Sequence, residues 1–149
     1  MKSRARLFIL GATCSGKTAV GARIARKLGG EVISLDSMQV YQGLKTITAQ
    51  PREEELSIAK HHLIDCIDPR ENFDVFSYIE RVLPLLDELD KAEKPAVFVG
   101  GTTYYFKALV DGFDDLPPGD EEIRRSLIEE FDGESHRLHD ELSRVDPCS

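Results

Sequence analysis

The sequence predicts an α/β protein with a mostly parallel sheet flanked by helices. Three observations carry that reading. Short apolar runs of strand length are each closed by glycine or aspartate, and helical apolar spacing fills the stretches between them. The first 36 residues run strand, glycine-rich loop, helix, strand, a βαβ unit whose crossover is expected to be right-handed. A chain of 149 residues suits one domain of ordinary size, so residues 1–149 are expected to form a single core.

Arg6 to Leu10 reads as a buried parallel strand ended by Gly11. Val20, Ile24 and Leu28 then recur at helical spacing, and Gly29-Gly30 stops the helix. Glu31 to Leu35 is a second strand ending at Asp36, while residues 41–72 are turn-rich and resist assignment. Asn72 or Asp74 caps a long helix with Val75, Ile79, Val82, Leu83, Leu86 and Leu89 on one stripe; Pro84 predicts a kink or a break within it. Ala96 to Val99 is a third strand, closed by Gly100-Gly101 and followed by a short helix from Thr102 to Leu109. Pro117-Pro118-Gly119 marks a loop, Asp120 caps a helix through Phe131, and Glu134 to Arg144 reads as one more.

Composition narrows the function classes. Hydrophobic residues at 41% and charged residues at 31% describe a globular chain, which excludes disordered and fibrous classes. No apolar run approaches the ~18 residues of a membrane span, and the four-residue run Leu7 to Leu10 is too short for a signal core of ~7–15. Cys14, Cys66 and Cys148 read as reduced thiols, so a cytoplasmic protein with no membrane partner is expected, and a monomer. The net charge of −8 is unevenly spread: residues 1–30 hold seven Lys/Arg and no acid, whereas residues 111–149 hold thirteen acids and four bases. A basic N-terminal element in an acidic protein points to anions bound there, and no broad nucleic-acid surface is visible.

Gly11-Ala12-Thr13-Cys14-Ser15-Gly16-Lys17-Thr18 matches G-x-x-x-x-G-K-[ST] in full, between the strand and the helix that this motif requires. Glycines let successive N–H groups turn inward around a phosphate at the positive end of a helix. Lys17 adds a point charge, and the Thr18 hydroxyl is placed to hold Mg²⁺. The fold is therefore expected to be P-loop NTPase-like. The motif implies a bound di- or triphosphate and leaves open which one.

Asp36 falls at the carboxyl edge of the sheet, where open α/β folds bind ligands. A carboxylate there serves as a Mg²⁺ ligand, a general base or a cap. Gln39 is a two-sided amide of the kind that reads the edge of adenine. Gly100-Gly101-Thr102 puts small residues and backbone N–H groups at the same edge, with a tight turn and Thr102 as helix cap the plainer reading. His61-His62 lacks companions at metal-ligand spacing and reads as a structural pair. Tyr104-Tyr105-Phe106 suits base stacking, or equally the core side of a short helix.

Taken together, these segments resemble one family closely: the tRNA dimethylallyltransferases, isopentenyltransferases that prenylate adenine beside the anticodon. The carrying residues are Gly11 to Thr18, Asp36 to Tyr41, Thr48-Ala49-Gln50-Pro51, His61 to Asp65 with Asp68-Pro69, and Val99 to Thr102 with Tyr105 to Leu109. Leu116-Pro117-Pro118 with Arg124, then Leu138-His139 through Val145-Asp146-Pro147, continue the likeness along the chain. The resemblance implies that the glycine loop holds the pyrophosphate of dimethylallyl diphosphate with Mg²⁺. The exocyclic amine of a flipped-out adenine in the anticodon loop of tRNA then attacks the allylic carbon. It assigns catalysis to Asp36 as base, with Lys17 and Thr102. It assigns diphosphate binding to Gly11, Ala12, Thr13, Cys14, Ser15, Gly16, Lys17 and Thr18, with Thr18 also on the metal. Contacts to tRNA fall to Asp36, Ser37, Met38, Gln39, Thr102 and Arg124.

The chain departs from the family pattern at three places. Ile47 and Gln50 stand where a glycine and a lysine are usual, and Cys14 where a small inert residue is. The family's second half, with a His-Pro-Asn-Asp and arginine motif and a helical region that grips tRNA, has no counterpart in these residues, so the resemblance is to the N-terminal half. The residues alone also suit a P-loop small-molecule or nucleoside kinase, although no arginine-rich lid is present to clamp a phosphoryl group. A sister activity on free AMP and a non-catalytic diphosphate-binding module are the other readings.

Overall fold

The computed structural model describes residues 5–112, 119–131 and 135–147. They fall into two compact units, residues 1–113 and 114–149.

The first unit is built on a four-stranded sheet, all parallel, in the order β1-β4-β2-β3. The strands are β1 (Arg6–Leu10), β2 (Glu31–Leu35), β3 (His61–His62) and β4 (Ala96–Gly100). Between them run α1 (Lys17–Leu28), the single turn α2 (Glu53–Leu56) and α3 (Val75–Lys91); α4 (Thr103–Asp111) follows β4. The expected parallel α/β fold is present.

Register explains where the site must lie. Leu10 and Leu35 both pair with Gly100, so the three strands end level and Gly11, Asp36 and Gly101 leave the sheet at one edge. Only glycine serves at position 100: a Cβ there would sit 2.0 Å from the Leu35 carbonyl oxygen.

Alternation along the strands divides the core between two faces. Ile33, Leu35, Ala96 and Phe98 face α3 and α4, where Val75, Tyr78, Val82, Leu86, Leu89, Tyr105 and Ala108 complete a buried cluster. Phe8 stacks on Phe98 at 4.6 Å, and Tyr78 stacks on Tyr105 at 4.3 Å. Val32, Val97 and Val99 face α1.

Helix α1 differs from the sequence expectation in an informative way. Val20 and Leu28 are about half exposed, and the buried residues are Gly21, Ala22 and Ala25. The cause is close approach: a Cβ on Gly21 would lie 2.3 Å from Val99 Cγ2, so the helix reaches the sheet through its smallest side chains. Pro84 neither ends nor divides α3, which is one helix capped by Asp74 Oδ1 accepting from the Ser77 N–H. Proline removes one hydrogen bond at about 3 kcal/mol in a helix interior. Val82 on one side of it and Leu86 and Leu89 on the other are buried, each stabilising by about 1.5–3 kcal/mol. Leu83, placed on the apolar stripe by spacing, is exposed, and Tyr78 takes the buried position instead.

In the second unit, α5 (Glu121–Glu130) is capped by Asp120, whose Oδ1 accepts from the Glu122 and Ile123 N–H groups. Helix α6 (Ser135–Val145) carries an Arg144–Glu141 ion pair on its surface. Ile123, Ile128, Leu142 and Val145 are exposed apolar residues of these helices. The Pro117-Pro118 part of the expected loop lies outside the described residues. No helix among the described residues is long and apolar enough to cross a membrane.

Candidate active site

The glycine loop joins β1 to α1, and its shape comes from left-handed backbone at Cys14 (φ 63°) and Gly16 (φ 82°). Left-handed conformation is uncommon for a side chain with a Cβ, and such strain concentrates at ligand sites. Helix α1 begins without a side-chain cap and without an acidic residue in its first turn. Its free N–H groups and the positive end of its dipole are thus left to an outside anion. Lys17 Nζ lies over the loop and donates to the Ala12 carbonyl at 2.9 Å.

A cavity of about 800 Å³ opens against this loop. Of the residues singled out from sequence, Thr13 to Thr18, Asp36 and Gln39 line it. The opposite wall lies outside the glycine-loop and Asp36 motifs. It comes from residues 45–55 of the turn-rich stretch and brings Lys45 and Arg52 as additional cations, with Glu53 and Glu55 beside them. The only sequence signal for this wall was the Thr48-Ala49-Gln50-Pro51 segment of the family pattern.

Asp36 caps its own turn: Oδ1 accepts from the N–H of Met38 at 2.9 Å and of Gln39 at 3.3 Å. That fixes the carboxylate and leaves Oδ2 without a protein partner among the described residues. The amide of Gln39 is engaged at both ends. Its Oε1 accepts from Ser34 Oγ at 3.1 Å and its Nε2 donates to the Ala49 carbonyl at 3.2 Å, so reading a base would require exchange of those bonds. Thr102 occupies the cap position of α4, yet its hydroxyl does not cap that helix. Oγ1 accepts from the Ser37 N–H at 3.1 Å, while the Thr102 N–H donates to the Leu35 carbonyl, tying the Asp36 turn to β4. Ser37 is half-buried and Met38 exposed. Arg124 belongs to the second unit, on the exposed face of α5 near Glu121.

The departures from the family pattern have physical explanations. Ile47 is 83% exposed and its backbone is not left-handed, so nothing at that position demands glycine. Gln50 is buried, and its Nε2 donates to the carbonyls of Gln39 at 2.8 Å and Tyr41 at 2.9 Å. It supplies the same two donors that a lysine ammonium could give, without the charge. Cys14 is exposed on the cavity wall, and Cys66 is also a free thiol.

Of the histidine pair, His62 is structural. His62 Nε2 meets Glu31 Oε2 at 2.5 Å, and Lys94 donates to Glu31 Oε1 at 2.6 Å, with Lys60 3.5 Å away. Burial alone would raise the Glu31 carboxyl; the hydrogen bonds from Lys94 and His62 and the charge of Lys60 outweigh it and hold it at about 2. Tyr105 and Phe106 belong to the core side of α4, and burial pushes the Tyr105 hydroxyl up to about 12. Tyr104 is exposed.

A glycine loop at the head of a parallel sheet, with a carboxylate at the end of β2 facing the same cavity, defines the class: a P-loop α/β protein. The model of the family described as IPP transferase matches residues 39–149. The chain belongs to that family. The tRNA dimethylallyltransferase of Methylorubrum extorquens is 44% identical over 146 residues, covering 97% of this chain and 46% of that protein. The tRNA dimethylallyltransferase of Geobacter metallireducens is 38% identical over 150 residues, covering 99% and 48%. Among solved structures, the full-length tRNA isopentenylpyrophosphate transferase of Bacillus halodurans superposes with a TM-score of 0.72 at 37% identity, over 99% of this chain and 49% of that one. A eukaryotic dimethylallyltransferase acting on tRNA gives a TM-score of 0.74 at 25% identity, over 98% and 36%. The chain thus spans about half the length of the curated relatives it matches.

Proposed function

We propose that this chain forms the donor-binding and catalytic core for transfer of a dimethylallyl group to the exocyclic amine of the adenine beside the anticodon in tRNA. In the reaction the amine nitrogen bonds to the allylic carbon, the carbon–oxygen bond to diphosphate breaks, and pyrophosphate leaves with the electron pair. The observation that carries the reading is the shared cavity: phosphate loop, helix N-terminus and Asp36 face one space of ligand size.

Residues 11–18 bind the diphosphate, and Lys17 with the loop N–H groups stabilises the charge that grows on the leaving group. Asp36 takes the amine proton through its open Oδ2. Thr102 acts by holding the turn that carries Asp36, Ser37, Met38 and Gln39, which meets the target nucleotide. Arg124 contacts the RNA. A divalent cation fits the residues present. No group of three or more His, Cys, Asp or Glu side chains suited to a metal occurs among the described residues. Mg²⁺ bound to a diphosphate needs only one or two protein oxygens, and Thr18 offers one. Bound there, Mg²⁺ would supply Lewis-acid stabilisation of the leaving group.

The test is Asp36→Asn, assayed for prenyl transfer to an anticodon stem-loop and for dimethylallyl diphosphate binding. Binding is expected to persist while transfer falls by ~10² or more, the usual worth of a general base. Near-wild-type turnover in this variant would remove Asp36 from the chemistry.

A further inference from the structure

His61 holds a buried lone pair that the fold does not satisfy. It stands on β3 beside Val32 of β2, with Nδ1 2.8 Å from the Ala59 carbonyl. A carbonyl oxygen only accepts, so Nδ1 carries the ring proton. Burial pulls the proton affinity of the ring down, which keeps it neutral and makes Nε2 an acceptor. Nε2 is shielded from solvent and has no partner among the described residues. A buried acceptor left so costs about 1–3 kcal/mol.

His61 lines a small cavity of about 10 Å³ together with Lys17, Thr18, Ser34 and Gln39, and with the apolar Val32 and Val99. That volume is at the threshold for one water molecule, and a buried water needs two to four polar partners. The proton of Ser34 Oγ is already given to Gln39 Oε1, and one of the two Gln39 Nε2 protons is given to the Ala49 carbonyl. Thr18 is different: its hydroxyl has no partner among the described residues, and it lines both this cavity and the large phosphate cavity.

We propose that one buried water, held by His61 Nε2, accepts the hydrogen bond of the Thr18 hydroxyl and so turns the Thr18 oxygen lone pairs toward the phosphate cavity. His61 is then a positioning residue for Thr18 and, through it, for a divalent cation on the diphosphate. The water donates one proton to Nε2 and the other to Ser34 Oγ, which retains free lone pairs. Partners placed behind a metal ligand in this way typically account for 10–100-fold in metal affinity. The inference rests on the reading of the glycine loop as the diphosphate site.

The probe is inorganic pyrophosphate, titrated calorimetrically with and without Mg²⁺ into the wild-type chain, His61→Leu and His61→Gln. Leucine removes the acceptor; glutamine places an amide oxygen near the position of Nε2. The expected result is that His61→Leu loses about tenfold of the Mg²⁺-dependent gain in affinity, leaves Mg²⁺-free binding within twofold, and is largely rescued in His61→Gln. A folded His61→Leu with the full Mg²⁺ gain would overturn the proposal. If that variant does not fold, a crystal structure of the wild-type chain decides: a water within hydrogen-bond distance of both His61 Nε2 and Thr18 Oγ supports it, and a protein donor on Nε2 overturns it. A wild-type chain that binds no pyrophosphate would refute the donor-site reading itself, and the crystal structure would still decide the water.

Discussion

Removing the charge of Glu31 is expected to weaken the fold in a way that depends on pH with a definite sign. Its side chain is 8% exposed and ties β2 to His62 of β3, to Lys60 just before it and to Lys94 before β4. The folded-state carboxyl is held at about 2 against an ordinary value of 4.5. A depressed carboxyl contributes stability that is fully present above the unfolded value and lost as pH falls toward the folded one. At ~1.4 kcal/mol per decade, the gap corresponds to about 3 kcal/mol. Lys60 and Lys94 stand partly in solvent and screen the cluster, so this is the upper end. Urea unfolding of the wild-type chain and Glu31→Gln at steps from pH 7 to pH 2 reads the effect directly. The wild type is expected to exceed the variant by up to about 3 kcal/mol above pH 5, with the two curves converging toward pH 2. Taking the difference cancels Asp74, whose carboxyl is also lowered by the Ser77 N–H it accepts from and titrates alike in both proteins. A constant difference across this window, or none at pH 7, would refute the ion cluster as the brace between these strands.

Three further outcomes follow from the geometry. Lys17→Ala is expected to weaken pyrophosphate binding roughly 10–100-fold, the range for a charge-assisted hydrogen bond, and an unchanged Kd would show that the loop is not the site. Gly100→Ala forces a Cβ to 2.0 Å from the Leu35 carbonyl oxygen, so stability should fall on the order of 3 kcal/mol; a denaturation midpoint equal to wild type would contradict the strand pairing. In Gln50→Met the two bonds to the Gln39 and Tyr41 carbonyls vanish, and transfer should drop while the fold persists; Gln50→Lys, which keeps donors there, should restore it. Equal loss in both variants would argue for a role of the Gln50 amide beyond pinning the turn.

Much of the sheet was legible because its signals are local. Arg6–Leu10, Glu31–Leu35 and Ala96–Gly100 are short apolar runs with clear stops, and Gly11 to Thr18 states its own backbone geometry, but β1, expected to be buried, is an edge strand with Leu7 and Leu10 exposed. The packing face of α1 was not legible, because Val20 and Leu28 look like core residues until the approach of Gly21 to Val99 is known. Strand β3 was invisible for a similar reason: two histidines carry no apolar signal, and the strand exists through Val32 and Ile33 beside it. On the site, the sequence placed the loop and Asp36 correctly at one edge. It could not reveal that residues 45–55 fold back as the opposite wall, since that depends on long-range bonds from Gln39 and Gln50. Nor could spacing show that the Thr102 hydroxyl serves Ser37 instead of its own helix.

On the proposed function, the cavity at the glycine loop receives a prenyl diphosphate. The most direct measurement is calorimetric titration of the chain with dimethylallyl diphosphate and, separately, with ATP, both in Mg²⁺. Clear preference for dimethylallyl diphosphate is expected, lost in Lys17→Ala. Preference for ATP, or binding of neither, would contradict it.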